Sequence, residues 1–96
     1  MIDIYNYMGS RYDNSIAVQI GNLIVYFSYR TVIGFRWKGV KVGIKKTYSA
    51  TTSKHQRNIG FDILLEPDKF DRAFYKALRE ALRECIEEHP LLREVE

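Results

Sequence analysis

The hydrophobic period of this chain changes once, and the change falls at Pro67. From Ile16 to Lys46 apolar residues alternate with period two, the pattern of strands buried on one face. From Asp68 to Glu88 they recur with period 3.6. There Phe70, Ala73, Phe74, Ala77, Leu78, Ala81, Leu82, Cys85 and Ile86 form one stripe, with Lys, Arg and Glu opposite. A half-buried sheet followed by one amphipathic helix has a single economical arrangement, in which the helix lies across the apolar face of the sheet. The expected fold class is therefore α+β: an antiparallel meander of four to six strands with one C-terminal amphipathic helix packed across one face. At 96 residues the chain has room for one domain, with the sheet over about 2–65 and the helix over about 68–88. A hydrophobic content of 46% places it well outside the disordered regime.

The strands can be placed in register from their turns. Ile16 to Ile20 and Leu23 to Phe27 flank Gly21-Asn22, a pair suited to the positive φ of a tight hairpin. Pairing about that turn sets Ile16, Val18 and Ile20 beside Phe27, Val25 and Leu23. A second hairpin turns at Lys38-Gly39 and pairs Trp37 with Val40, Phe35 with Val42 and Ile33 with Ile44. A three-residue loop at Tyr29 to Thr31 joins the hairpins with Phe27 opposite Ile33 and Val25 opposite Phe35, which keeps every apolar residue on one face. Ile2 to Tyr7 and Phe61 to Leu65 are candidate edge strands. Asp68 is the expected N-cap of the helix, Pro90 its stop, and His89 is expected to be exposed near its last turn.

Charge is informative by position. Residues 1–66 carry nine bases and four acids, whereas residues 67–96 carry six bases and eight acids. Between Arg30 and Arg57 there are eight bases and no carboxylate, a stretch that attracts anions. On the sheet face away from the helix the register aligns Gly34 with Gly43, Arg36 with Lys41 and Val32 with Lys45. A glycine floor flanked by like charges reads as a seat for an anion, with Tyr26 as an aromatic surface for a base. Reversing Arg36 or Lys41 to Glu is then expected to stabilise the fold and weaken binding. The same glycines equally suit the close approach of a partner subunit or of the N-terminal strand.

The segment Thr47 to Asn58 is the densest polar cluster. Thr51, Thr52 or Ser53 can cap a short helical turn that Gly60 closes, leaving Lys54 and His55 for an anion or for proton transfer. The nucleic-acid-binding set expected from these patterns is Tyr26, Arg36, Lys38, Lys41, Lys45, Lys46, Lys54, His55 and Arg57. No catalytic residue, metal site or cofactor is assigned. Cys85, the single cysteine, lies on the apolar stripe and is expected to be a buried structural thiol; with no disulfide to make, it points to a reducing interior. Neither a spanning helix nor a signal peptide is expected, so the chain is expected in the cytoplasm.

Two stretches carry a resemblance. Tyr26-Phe27-Ser28-Tyr29-Arg30-Thr31-Val32-Ile33-Gly34-Phe35 and Tyr48-Ser49-Ala50-Thr51-Thr52-Ser53-Lys54-His55 resemble a family of short uncharacterised proteins of phages, prophages and archaeal viruses. That family shares a Ser-Tyr-x-Thr strand and an aromatic-Ser-x-Thr-Thr-x-Lys-His segment, and more often has Trp at Tyr48 and Asn at Arg30. The resemblance implies a viral or mobile-element accessory protein, located inside the host cell, and no reaction. Three functions follow as expectations. The first is a non-enzymatic binder of nucleic acid or of a host complex that handles it. The second is a protein-interaction module or homodimer without nucleic-acid contact, such as an inhibitor of a host factor. The third is a metal-independent nuclease using His55.

Overall fold

A computed structural model describes residues 2–9 and 14–88, Glu88 by its backbone alone. His89 and Pro90 lie outside the described residues. Six strands form one sheet in sequential order: β1 (Ile2–Asn6), β2 (Ile16–Ile20), β3 (Leu23–Ser28), β4 (Thr31–Trp37), β5 (Val40–Ile44) and β6 (Ile63–Leu65). The first five are antiparallel neighbours, and β6 runs parallel to β5. The chain reaches β6 through a ten-residue helix, α1 (Ala50–Ile59), and ends in α2 (Pro67–Glu88). The fold is α+β, as the change of period requires.

The hairpin registers hold from each turn out to Ala17–Tyr26 and Gly34–Gly43, and the ladders do not extend to the expected Ile16–Phe27 and Ile33–Ile44 pairs. Val18 pairs Val25, Ile20 pairs Leu23, Trp37 pairs Val40, Phe35 pairs Val42, and Gly34 pairs Gly43. Lys38 and Gly39 take positive φ in the β4–β5 turn, the handedness that matches the strand twist. The β3–β4 connection departs from expectation. Val25 pairs Phe35, but a bulge between Tyr26 and Phe27 shifts the ladder, so Phe27 pairs Val32 and the turn shrinks to Tyr29-Arg30. Tyr29 adopts φ 57°, and its N–H donates to Asn14 O at 2.8 Å, which offsets part of the cost of a bulky residue in that region. The extra residue exchanges the roles of two neighbours. Val32 packs in the layer under α2, and Ile33 moves to the opposite face.

The α2 layer is the larger core. Leu23, Val25, Phe35 and Val42 meet Phe70, Ala77 and Ala81, with Phe27, Trp37, Ile44, Leu65 and Phe74 around them. Small alanines let the helix axis approach the sheet, while Phe35, Phe70 and Phe74 fill the remaining volume at centroid separations of 5.4–5.9 Å. Cys85 is buried and faces the Gly21 turn. Pro67, not Asp68, opens α2, where its fixed φ suits the first position and its missing N–H is no loss. Asp68 sits in the first turn and pairs with Arg72 at 3.3 Å. Among the described residues no helix is long and apolar enough to cross a membrane.

Candidate functional site

The face opposite α2 carries α1, and its packing is of another kind. Ala17, Tyr26, Ile33 and Ile59 are buried there, with Tyr7, Ile24, Tyr48 and Phe61 against them. The glycine floor is not open. The ring of Phe61 lies on Gly34 and Gly43, so closely that a Cβ at Gly34 would overlap it and one at Gly43 would lie 2.6 Å from its Cδ2. The glycines accommodate an aromatic ring of the same chain, not an external anion. Tyr26 is 7% exposed and edge-on to Phe61, so it offers no platform to a base.

Lys41 is also accounted for internally. It pairs with Arg36 as expected, but its Nζ donates to Ile59 O at 2.9 Å, and its backbone exchanges hydrogen bonds with Asp62. Ile59 is the last residue of α1, where carbonyls lack intrahelical donors and the dipole is negative. The like charges therefore face each other because one of them caps a helix. Reversal of Lys41 breaks that cap, which corrects the expectation that either reversal stabilises the fold.

Three residues of α1 point inward, at the i, i+3, i+7 spacing: Thr52, His55 and Ile59. Two of them are polar. His55 Nδ1 lies 2.7 Å from Ser28 Oγ, which lies 2.9 Å from Thr52 Oγ1, and His55 and Ser28 are each 2% exposed. Ser49 caps α1, accepting from Thr52 N–H at 3.3 Å, and its hydroxyl donates to Thr52 Oγ1 at 3.2 Å. With a neutral His55 accepting at Nδ1, the hydroxyls donate once each along the chain Ser49, Thr52, Ser28, His55. The imidazole is bracketed by Tyr7 and Tyr29 at 6.0 and 6.2 Å between centroids, and Tyr7 donates to Phe27 O at 2.7 Å. Burial holds the His55 pKa below its ordinary value, and the neighbouring Lys54 ammonium adds to the depression. Burial raises the pKa of Tyr7 and of Tyr26. His55 thus fastens α1 to the sheet and presents no imidazole to solvent, which removes it from the surface contact set. Ser28 is the residue the sequence reading missed. Alternation placed it beside Tyr26 on this face, and a serine ending Leu-Ile-Val-Tyr-Phe was the available signal.

The other expected contacts divide by place. Lys38 lies on the α2 side, where it meets Glu80 at 3.8 Å and the Trp37 ring. Arg36, Lys45, Lys46, Lys54 and Arg57 are exposed. A shallow groove of about 340 Å³ is lined by Lys45, Lys46, Thr47, Gln56, Leu64, Ile44 and Glu66, the last pairing with Lys45 at 3.7 Å. A second, of about 240 Å³, is lined by Ser53, Gln56, Arg57, Phe61 and Leu64. The two share Gln56 and Leu64, so they adjoin along α1. Among the described residues no group of His, Cys, Asp and Glu is arranged to hold a metal ion.

Comparison with curated proteins and with solved structures gives no match. Residues 3–72 do match a family model, and that span takes in β1 from Asp3 onward, the other five strands, α1 and the start of α2. The chain belongs to the family of unknown function DUF8033.

Proposed function

We propose that this protein is a small non-enzymatic accessory protein that binds an anionic partner, nucleic acid foremost, along the α1 side of its sheet. The observation that carries the reading is the acid-free run from Arg30 to Arg57, whose exposed bases Lys45, Lys46 and Arg57 line two adjoining grooves beside α1. Arg36 and Lys54 extend the charge on the same side. Thr47, Ser53 and Gln56 supply neutral donors of the kind that hold phosphate oxygens. Such contacts position a backbone without reading bases, so binding without sequence preference is expected. The resemblance of Tyr26–Phe35 and Tyr48–His55 to short viral proteins supports a viral or mobile-element setting inside the host cell.

The test is a titration of the wild-type protein with labelled duplex DNA and with RNA at several salt concentrations. Binding should weaken with salt, with a log–log slope near 0.9 on duplex DNA for each phosphate contacted. Absence of binding at low salt, or binding indifferent to salt, would refute the nucleic-acid reading.

A further inference from the structure

Among the described residues the sheet has two open edges, and β1 is the one built to pair. Tyr7 N–H donates to Ser15 O at 3.0 Å, the next rung of a ladder in which Tyr5 faces Ala17 and Asp3 faces Gln19. Hydrogen-bonding direction alternates along an antiparallel strand. Asp3, Tyr5 and Tyr7 therefore bond inward to β2, and the backbone N–H and C=O groups of Ile2 and Ile4 face outward.

The side chains agree. Ile2 and Ile4 are 65% and 66% exposed, on the α2 side beside the half-buried Val18 and Ile20. Proteins usually guard such an edge with lysine, proline or a bulge. Among the described residues β1 has none of these, and its single charge, Asp3, points to the α1 side.

We infer that β1 pairs antiparallel with β1 of a second copy about a twofold axis at Ile4, extending the sheet across a homodimer. The register selects the occupant. Centred on Ile4, all five residues of β1 find partners: Ile4 meets Ile4, Ile2 meets Asn6, and Asp3 meets Tyr5. The outward groups of Ile4 then bond reciprocally, the two Ile4 side chains touch, and each Asp3 carboxylate lies beside a phenol that can donate to it. A centre at Asp3 would oppose two carboxylates. The axis is perpendicular to the sheet, so both α1 helices share one side. This pairing stands apart from the anion-binding reading, and it would double the basic surface if that reading holds.

Sedimentation of the wild type, Ile4→Lys and Ile63→Lys tests the inference, because Ile63 on β6 is an exposed residue of the other edge. The wild type and Ile63→Lys should sediment as dimers at micromolar concentration, and Ile4→Lys as a monomer with an unchanged circular dichroism spectrum. In the wild type, exchange of the Ile4 amide hydrogen should slow as concentration rises, while the Asp3 and Tyr5 amides, already bonded to β2, stay constant. A wild type that is monomeric at every concentration would overturn the inference. So would a dimer that survives Ile4→Lys or is lost in Ile63→Lys. Salt-dependent DNA binding by monomeric Ile4→Lys would leave the anion-binding reading standing on its own.

Discussion

The two faces of this sheet are filled by opposite means. Under α2 the sheet is covered by large apolar side chains separated by small helical alanines, and stability there follows from buried carbon. Under α1 the sheet is hollowed by Gly34 and Gly43, the hollow is filled by Phe61, and the helix is fastened by Ser28, Thr52 and His55. The first face is damaged by taking atoms away and the second by adding them. The difference extends to charge. α2 shows solvent a mixture of signs, whereas the segment from Arg30 to Arg57 shows only positive ones. A face so constructed holds a polar helix in a defined place and keeps its basic residues outside.

The largest effects should come from testing that contrast directly. Phe70→Ala removes a 2%-exposed ring from the α2 layer and should cost about 3–5 kcal/mol in chemical denaturation. Gly43→Ala adds one methyl group against Phe61 and Leu64 and should cost about 2–3 kcal/mol, an overpacking penalty. In a Phe61→Ala background the same methyl group should cost at least about 1 kcal/mol less, since its main obstacle is gone. Strictly additive effects would mean that the ring does not rest on the glycines.

Smaller effects separate Lys41 from the residue it faces. Lys41→Glu replaces a cation at the C-terminal carbonyl of α1 with an anion and should destabilise by about 1–2 kcal/mol. Arg36→Glu places an opposite charge across from Lys41 and should stabilise by about 0.2–1 kcal/mol. Thermal melts that move in the same direction for both variants would remove the capping role of Lys41.

The remaining effect is proton-linked. His55 binds protons less readily when folded than when unfolded, because burial and Lys54 oppose the imidazolium. The unfolded chain then takes up more protons as pH falls through the unfolded value of about 6.5. Stability should decline below that pH, with a slope of at most about 1.4 kcal/mol per unit, and level off below the folded pKa. Among the described residues the groups around the ring are Ser28, Thr52, Tyr7, Tyr29 and Lys54, none of them a carboxylate to hold the charged form. His55→Gln should remove this decline. A wild type and a variant with superimposable stability–pH curves would contradict the account of the cluster.

The legibility of the fold follows the same division. The α2 face was readable because period two and period 3.6 encode burial against a single partner, and Trp37–Val40, Phe35–Val42 and Val18–Val25 all pair as their turns dictate. The bulge was not, because a three-residue loop and a two-residue loop with one extra ladder residue place Val25 and Phe35 identically. They differ only in which of Val32 and Ile33 faces α2. The α1 face was misread for a physical reason. Glycine opposite glycine, and arginine opposite lysine, look costly when a sheet face is imagined bare, and both make sense once Phe61 and the end of α1 are laid over them. The inward trio of α1 was within reach, since Thr52, His55 and Ile59 share one helical face and Ser28 lies on the matching strand face. Its polar character disguised it as surface. Arg36, Lys45, Lys46, Lys54 and Arg57 are exposed, as basic side chains usually are.

The central claim is that the α1 side is the side that meets an anionic partner, and paired charge reversals test it most directly. Lys54→Glu with Arg57→Glu changes the exposed side of α1, and Lys76→Glu with Arg79→Glu makes the same charge change on the exposed side of α2. Salt-dependent binding to duplex DNA, read by fluorescence anisotropy, should fall at least about tenfold for the first pair, together with a smaller salt slope, and change little for the second. Equal losses in the two variants would mean that net charge alone governs binding, and would contradict the division of labour between the two faces.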